Sequence, residues 1–153
     1  MIAKLKGDKD SYYLTFDEIP QSVKDAMVVT EDRDFYKHEG VNFLSTAKAA
    51  VMLVESKLRH QDISRGGSTI TQQLAKNVFL SNERSYERKV REIFIALELE
   101  KKYTKDQILE FYINNIYFAN GYYGIEAASK GYFNKSAKDL DLAEAAFLWT
   151  KFV

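Results

Sequence analysis

Val90-Arg91-Glu92-Ile93-Phe94-Ile95-Ala96-Leu97, with Thr104-Lys105-Asp106-Gln107 close behind it, settles the structural class of this chain. Val90, Ile93, Phe94 and Leu97 fall at the spacing of one apolar helix face, which predicts a long helix from about Asn82 or Ser85 to Tyr103. Thr104 with Gln107 three places on has the capping-box pattern, so another helix opens there and runs to about Ile116. Pro20 suits the first turn of a helix through Val23, Ala26, Met27 and Val28 toward Glu31. Further helices are expected from about Asn42 to Leu58, from near Thr69, from Ile125 to Tyr132, and from a cap by Asp141 and Glu144 through Leu148. Arg59 to Gly67 reads as a polar loop, and Gly121 and Gly124 loosen an aromatic-rich connection. Tyr12 to Phe16 is a short strand candidate in an N-terminal arm. One proline and seven glycines in 153 residues agree with a mainly α fold.

A chain of 153 residues buries a real core as one domain, or most of one. Its 22 lysines and arginines balance 22 aspartates and glutamates. Nucleic acid is therefore not an expected partner, and any cationic function must be local. The lack of cysteine excludes disulfides, thiolate metal sites and a cysteine nucleophile. No secretory leader stands at the start, and no apolar run approaches the ~18 residues of a spanning helix. The chain reads as soluble, or as cut downstream of an anchor.

Three stretches carry chemistry. Glu31-Asp32-Arg33-Asp34 falls where a helix ends, after Ala26-Met27-Val28-Val29 and before Phe35. It reads as a solvated charge cluster, or as a carboxylate held at the edge of a core. In the second case Glu31 is the candidate base, since partial burial lifts a glutamate from ~4.3 toward working pH. His38 alone reads as a hydrogen-bonded structural group, and two distant histidines make no zinc site. Gly66-Gly67-Ser68-Thr69 ahead of Thr71-Gln72-Gln73 reads as a flexible loop with a cap, or as a site for an anionic group at exposed helix amides. Ser68, Thr69, Gln72 and Gln73 add neutral groups suited to sugar hydroxyls or phosphate oxygens. Finally, Arg84, Arg88 and Glu92 form one row of a helix, a like-charge contact most easily understood if it faces an anion, with Lys76 joining from the preceding helix. A salt-bridged surface helix is the alternative. The tyrosines at 112, 117, 122, 123 and 132 read as core and rim.

Together these residues resemble the peptidoglycan glycosyltransferase domain, the family-51 transglycosylase of penicillin-binding proteins and monofunctional cell-wall transglycosylases. The likeness runs from about Ile19 to Leu148. Its first motif is met at Glu31, Asp32, Phe35, His38 and Gly40, its second from Gly66 to Asn77, and its third at Arg88, Lys89 and Glu92. The fourth resembles Ile108 to Asn114 continuing through Gly124 to Phe133, and the fifth begins at Leu142-Ala143-Glu144-Ala145-Ala146. Ala119 stands where a glycine is usual.

The resemblance implies a lysozyme-like, two-lobed α fold with a cleft and a small membrane-facing jaw, including the Phe43 to Arg65 region. Residues 1–153 would be one glycosyltransferase domain, shortened at its C-terminal end and without its N-terminal anchor. It would work at the outer face of the bacterial cytoplasmic membrane. Lipid II and the nascent glycan strand would be its partners, moenomycin-type inhibitors its ligands, and the stretch Phe43 to Val54 its contact with the membrane surface. Glu31 would be the base and Glu92 a second catalytic group, orienting cations or a divalent metal (Mg or Mn), with no organic cofactor. Asp32, Ser68, Thr69, Gln72, Gln73, Lys76, Asn77, Arg84 and Arg88 would bind substrate, the cations among them holding the departing diphosphate. The competing readings are a lysozyme-like glycan-cleaving enzyme and a lipid II-binding domain without activity.

Overall fold

The structure, a computed structural model, describes residues 13–44, 46–47, 67–80 and 86–151. All of the expected loop Arg59 to Gly67 except Gly67, most of the expected helix from Asn42 to Leu58, and Arg84 lie outside the described residues.

Six α-helices make up most of what is described: α1 (Gln21–Glu31), α2 (Ile70–Phe79), α3 (Tyr86–Lys102), α4 (Lys105–Asn115), α5 (Ile125–Phe133) and α6 (Leu142–Thr150). Three are opened by reciprocal capping boxes. Thr69 caps α2 with Gln72, Thr104 caps α4 with Gln107, and Asp141 caps α6 with Glu144. Each satisfies two helix-start donors that would otherwise need water. Residues 43, 44, 46 and 47 are helical, as the start of the expected helix requires.

Helix α2 is the hub, packing against both α3 and α4, while α1 packs on α6. Its Ile70, Leu74 and Ala75 meet a core that includes Val23 and Met27 of α1, Ile108, Leu109, Tyr112 and Ile113 of α4, and Leu148 of α6. A polar tie reinforces the hub from one side. Thr71 Oγ1 donates to Glu100 on α3 at 2.6 Å, and Lys105 at the start of α4 pairs with the same carboxylate at 2.7 Å.

Two expectations are corrected. Tyr13 to Thr15 forms no strand; Phe16–Glu18 is a single 3-10 turn held by a Thr15–Glu18 capping box. The only β pairing among the described residues is an isolated bridge between Tyr117 and Tyr123. The second concerns α3, whose Val90, Ile93, Phe94 and Leu97 were expected to face inward. Instead Val90 is 53% and Phe94 66% exposed, and the helix buries Glu92, Ala96 and Leu99. The cause is close approach. Gly40, at φ +85°, lies so near α3 that a Cβ would meet the Ala96 carbonyl oxygen at 3.0 Å and Glu100 Cγ at 2.9 Å. Only a face built on a small residue accepts backbone at that distance.

The connection from α4 to α5 runs through left-handed backbone at Ala119 (φ 57°), Asn120 (φ 49°) and Gly121 (φ 83°). That accounts for glycine being usual at the first of these, since the left-handed region costs an alanine ~1–2 kcal/mol. No helix among the described residues is long and apolar enough to cross a membrane.

Candidate active site

Glu31 is the last residue of α1 and Asp32 its C-cap, with φ −156° and ψ 78°. The chain leaves the helix between them, so adjacent carboxylates are sent to different places. Asp32 turns inward and is buried. Its Oδ2 accepts from His38 Nε2 at 2.9 Å and from the Ile70 backbone N–H at 3.1 Å. The anion expected at the start of α2 is thus supplied by the protein itself, and a carboxylate there gains from the helix dipole as well as from the hydrogen bond. Because an ionised carboxylate only accepts, His38 carries a proton on Nε2. His38 is the hydrogen-bonded structural group anticipated for it.

Glu31 stays at the helix edge, partly buried. Its Oε2 accepts from Gln73 Nε2 at 3.0 Å, and Gln73 Oε1 in turn accepts from the Tyr112 hydroxyl at 2.8 Å. The phenol of Tyr112 is held well above 10, first by burial and then by the nearby charges of Glu31 and Asp32, so it remains a donor. Glu31 Oε1 takes no hydrogen bond from a described residue. By contrast Asp32, Glu92, Glu100 and Glu126 are all tied to cations or amides.

Around the entry to α2, Thr69 is 2% exposed, donates from Oγ1 to the Gly40 carbonyl at 2.6 Å, and exchanges capping bonds with a fully buried Gln72. Asp32, Thr69 and Gln72 were all expected to bind substrate. The structure turns the side chains of Asp32 and Thr69 toward other parts of the protein and buries Gln72. Ser68 lies more openly and accepts from Lys89 Nζ at 2.9 Å, and the same ammonium pairs with Glu92. Glu92 is 3% exposed; a carboxylate that deep needs such a partner.

Lys76 stands one turn beyond Gln73 on α2, partly buried, and its side chain forms no hydrogen bond or ion pair with a described residue. Asn77 is exposed on the same helix, and Arg88 is partly buried on α3. The structure therefore brings Glu31 to Gln73, and Ser68 to Lys89 and Glu92, around the N-terminal half of α2. Arg84 lies outside the described residues. No three His, Asp or Glu side chains converge on a metal-sized site among the described residues.

Two contributors escaped the sequence reading. Lys89 was quoted within a motif but given no role. Tyr112 was read as core, and it is fully buried; nothing local in an apolar helix signals where its hydroxyl points.

The chain is similar to known proteins over most of its length. Penicillin-binding protein 4 of Bacillus subtilis (strain 168) is 42% identical over 149 residues, 97% of this chain and 23% of that protein. Penicillin-binding protein 2a of Streptococcus pneumoniae (strain ATCC BAA-255 / R6) is 47% identical over 144 residues, 94% of this chain and 18% of that protein. Penicillin-binding protein 1A of Pseudomonas aeruginosa is 49% identical over 135 residues, 88% of this chain and 16% of that protein. The chain thus spans less than a quarter of the length of these relatives. The transglycosylase family matches it over residues 1–152. The chain belongs to the transglycosylase family.

Proposed function

We propose that this domain polymerises lipid II into β-1,4-linked glycan with release of undecaprenyl diphosphate. The observation that carries the reading is the state of Glu31: one carboxylate oxygen is fixed by Gln73, and the other takes no hydrogen bond from a described residue, which leaves it for a substrate proton. Glu31 takes the proton of the acceptor sugar's 4-hydroxyl as that oxygen attacks the anomeric carbon of the growing chain. The bond from that carbon to the diphosphate oxygen breaks with its electron pair, and the anomeric centre inverts. A positioned base of this kind contributes roughly 10²–10⁴-fold.

The diphosphate departs with growing negative charge, which preorganised cations stabilise; losing one such donor commonly costs ~3 kcal/mol. Lys76, whose side chain has no protein partner among the described residues, and Arg88 are the cations of this chain for that role, with Arg84 a third on the ground of the motif alone. Ser68, Gln73 and Asn77 contact sugar or phosphate, while Asp32, Thr69 and Gln72 hold the floor. Lys89 neutralises Glu92 and presents Ser68. A divalent ion at Glu92 would compete with the Lys89 ammonium and take its other ligands from diphosphate oxygens and water. No step above needs it. The work site is the outer face of the membrane, where the exposed Phe43 and Leu44 begin the membrane-facing jaw. Moenomycin-type compounds would compete for the same cations.

The test is Glu31→Gln, which keeps the shape and removes the base. With purified protein and lipid II in detergent, polymer formation should fall at least ~10²-fold while lipid II binding persists. An unchanged rate refutes the base. Wild-type protein that binds lipid II without product, or that cleaves finished glycan and ignores lipid II, refutes the polymerase reading itself.

A further inference from the structure

We infer that Tyr112 is a positioning residue for the base: acting through Gln73, its buried hydroxyl fixes the orientation of Glu31 toward the acceptor sugar. This rests on the role proposed above for Glu31 and adds what holds that group in place.

The argument begins with the two-sidedness of an amide. The oxygen of Gln73 can only accept and its nitrogen can only donate. Facing an ionised carboxylate, the amide must present Nε2, as it does to Glu31 Oε2 at 3.0 Å. That choice leaves Oε1 pointing the other way, into the core beside α4. An acceptor there needs a donor, and Tyr112 supplies it at 2.8 Å from a side chain with no exposed surface. A phenylalanine would fill the same space and leave Oε1 without that donor.

The two ends of this chain differ in rigidity. Tyr112 is packed on α4 in the centre of the core, whereas Glu31 is a terminal helix residue at an edge. Order therefore passes outward, from ring to amide to carboxylate. With Oε2 occupied, Oε1 of Glu31 is the oxygen that meets the acceptor hydroxyl. Loss of the phenol frees the Gln73 amide to rotate, and the carboxylate then samples orientations in which neither oxygen is aligned. Misplacing a reacting group costs up to ~10²-fold in rate. Tyr112 itself touches no substrate, and Ser68, Asn77 and the cations keep their contacts, so binding of lipid II changes little.

The experiment is a double-mutant cycle on polymerisation of lipid II, using wild type, Tyr112→Phe, Gln73→Ala and the double variant, all well below their melting temperatures. Tyr112→Phe should lower kcat about tenfold with KM within about twofold. In the Gln73→Ala background the same substitution should change kcat by less than about twofold, because the intermediary is gone. Equal fold-losses in both backgrounds, a rise in KM with kcat preserved, or a wild-type rate in Tyr112→Phe would each overturn the inference. Glu31→Gln run alongside separates the two levels. If it polymerises normally, the base assignment fails. If it is inactive and Tyr112→Phe is normal, only the positioning role fails.

Discussion

Removing the Asp32 carboxylate should unfasten α1 from α2, and the cost follows from its contacts. Asp32→Ala deletes a charge-assisted acceptor for His38 Nε2 and for the Ile70 N–H, at 2.9 and 3.1 Å. Hydrogen bonds to a charged group contribute ~1.5–3 kcal/mol each. The favourable charge at the start of α2 adds a few tenths to ~1 kcal/mol. Water entering the space returns part of this to the amide. The histidine recovers less, because its Nδ1 is already buried without a hydrogen-bond partner. A net loss of about 3 kcal/mol results, which for a chain of this length lowers the melting temperature by roughly 10 °C. Urea denaturation followed by circular dichroism measures the loss directly. Activity should fall further than unfolding explains, since Asp32 sets where α1 ends and so where Glu31 meets Gln73. A destabilisation below about 1 kcal/mol would show that the paired contacts do not hold the two helices together, and the account of Asp32 as an internal anchor would be wrong.

Backbone geometry and pH supply further tests. Gly124 (φ +80°) would place a Cβ 2.5 Å from the Asn114 carbonyl oxygen, whereas Gly121 (φ +83°) has nothing within 4 Å of one. Gly124→Ala should therefore cost clearly more than the ~1–2 kcal/mol of left-handed backbone that Gly121→Ala pays alone, read as a difference between two thermal melts. Equal losses would refute the contact. Hydrogen bonds from Lys138 and then Thr15 bring the Glu18 carboxyl down to about 2 from an ordinary 4.5. A depressed carboxyl contributes stability that is fully present above its unfolded value and is lost as pH falls through its folded one. The wild type should thus lose more stability than Glu18→Gln between about pH 5 and pH 2, with the Glu18 side-chain resonance titrating near 2; parallel losses in the two proteins would contradict the pairing.

What the sequence revealed was local. Capping at Thr104 with Gln107, the start of α2 at Thr69 and the cap at Asp141 depend on residues three apart, and all three helices open there. The face of α3 was not legible, because it is chosen by a neighbour. The apolar spacing of Val90, Ile93, Phe94 and Leu97 is real, but the loop at Gly40 demands a small residue and recruits Ala96 instead. Burying that side carries Glu92 inward, which is tolerable only because Lys89 lies one turn away on the same helix. The Thr15-to-Glu18 turn misled for a related reason. Tyr12 to Phe16 read as a short strand, but among the described residues no strand lies alongside to pair with it, and Phe16 N–H is taken instead by Glu110 at 2.7 Å.

The site divides along the same line. Glu31 could be read as a candidate from its place after an apolar run, and Asp32 only from the resemblance; that the two carboxylates take different environments could not be read. Two adjacent carboxylates on a continuing helix would splay by about 100° and share one environment. Here the helix stops between them, and the backbone of Asp32 swings its carboxylate into the start of α2. Burying that charge is stabilised by an amide and an imidazole, and it pins the α1 terminus to the helix carrying Gln73 and Lys76. Glu31 is thereby set one residue from a fixed point and one hydrogen bond from a second, with its remaining oxygen unclaimed by any described residue. In the role proposed for it, Glu31 gains alignment from its neighbour without having its own charge neutralised, which is what a proton acceptor beside a charged leaving group requires.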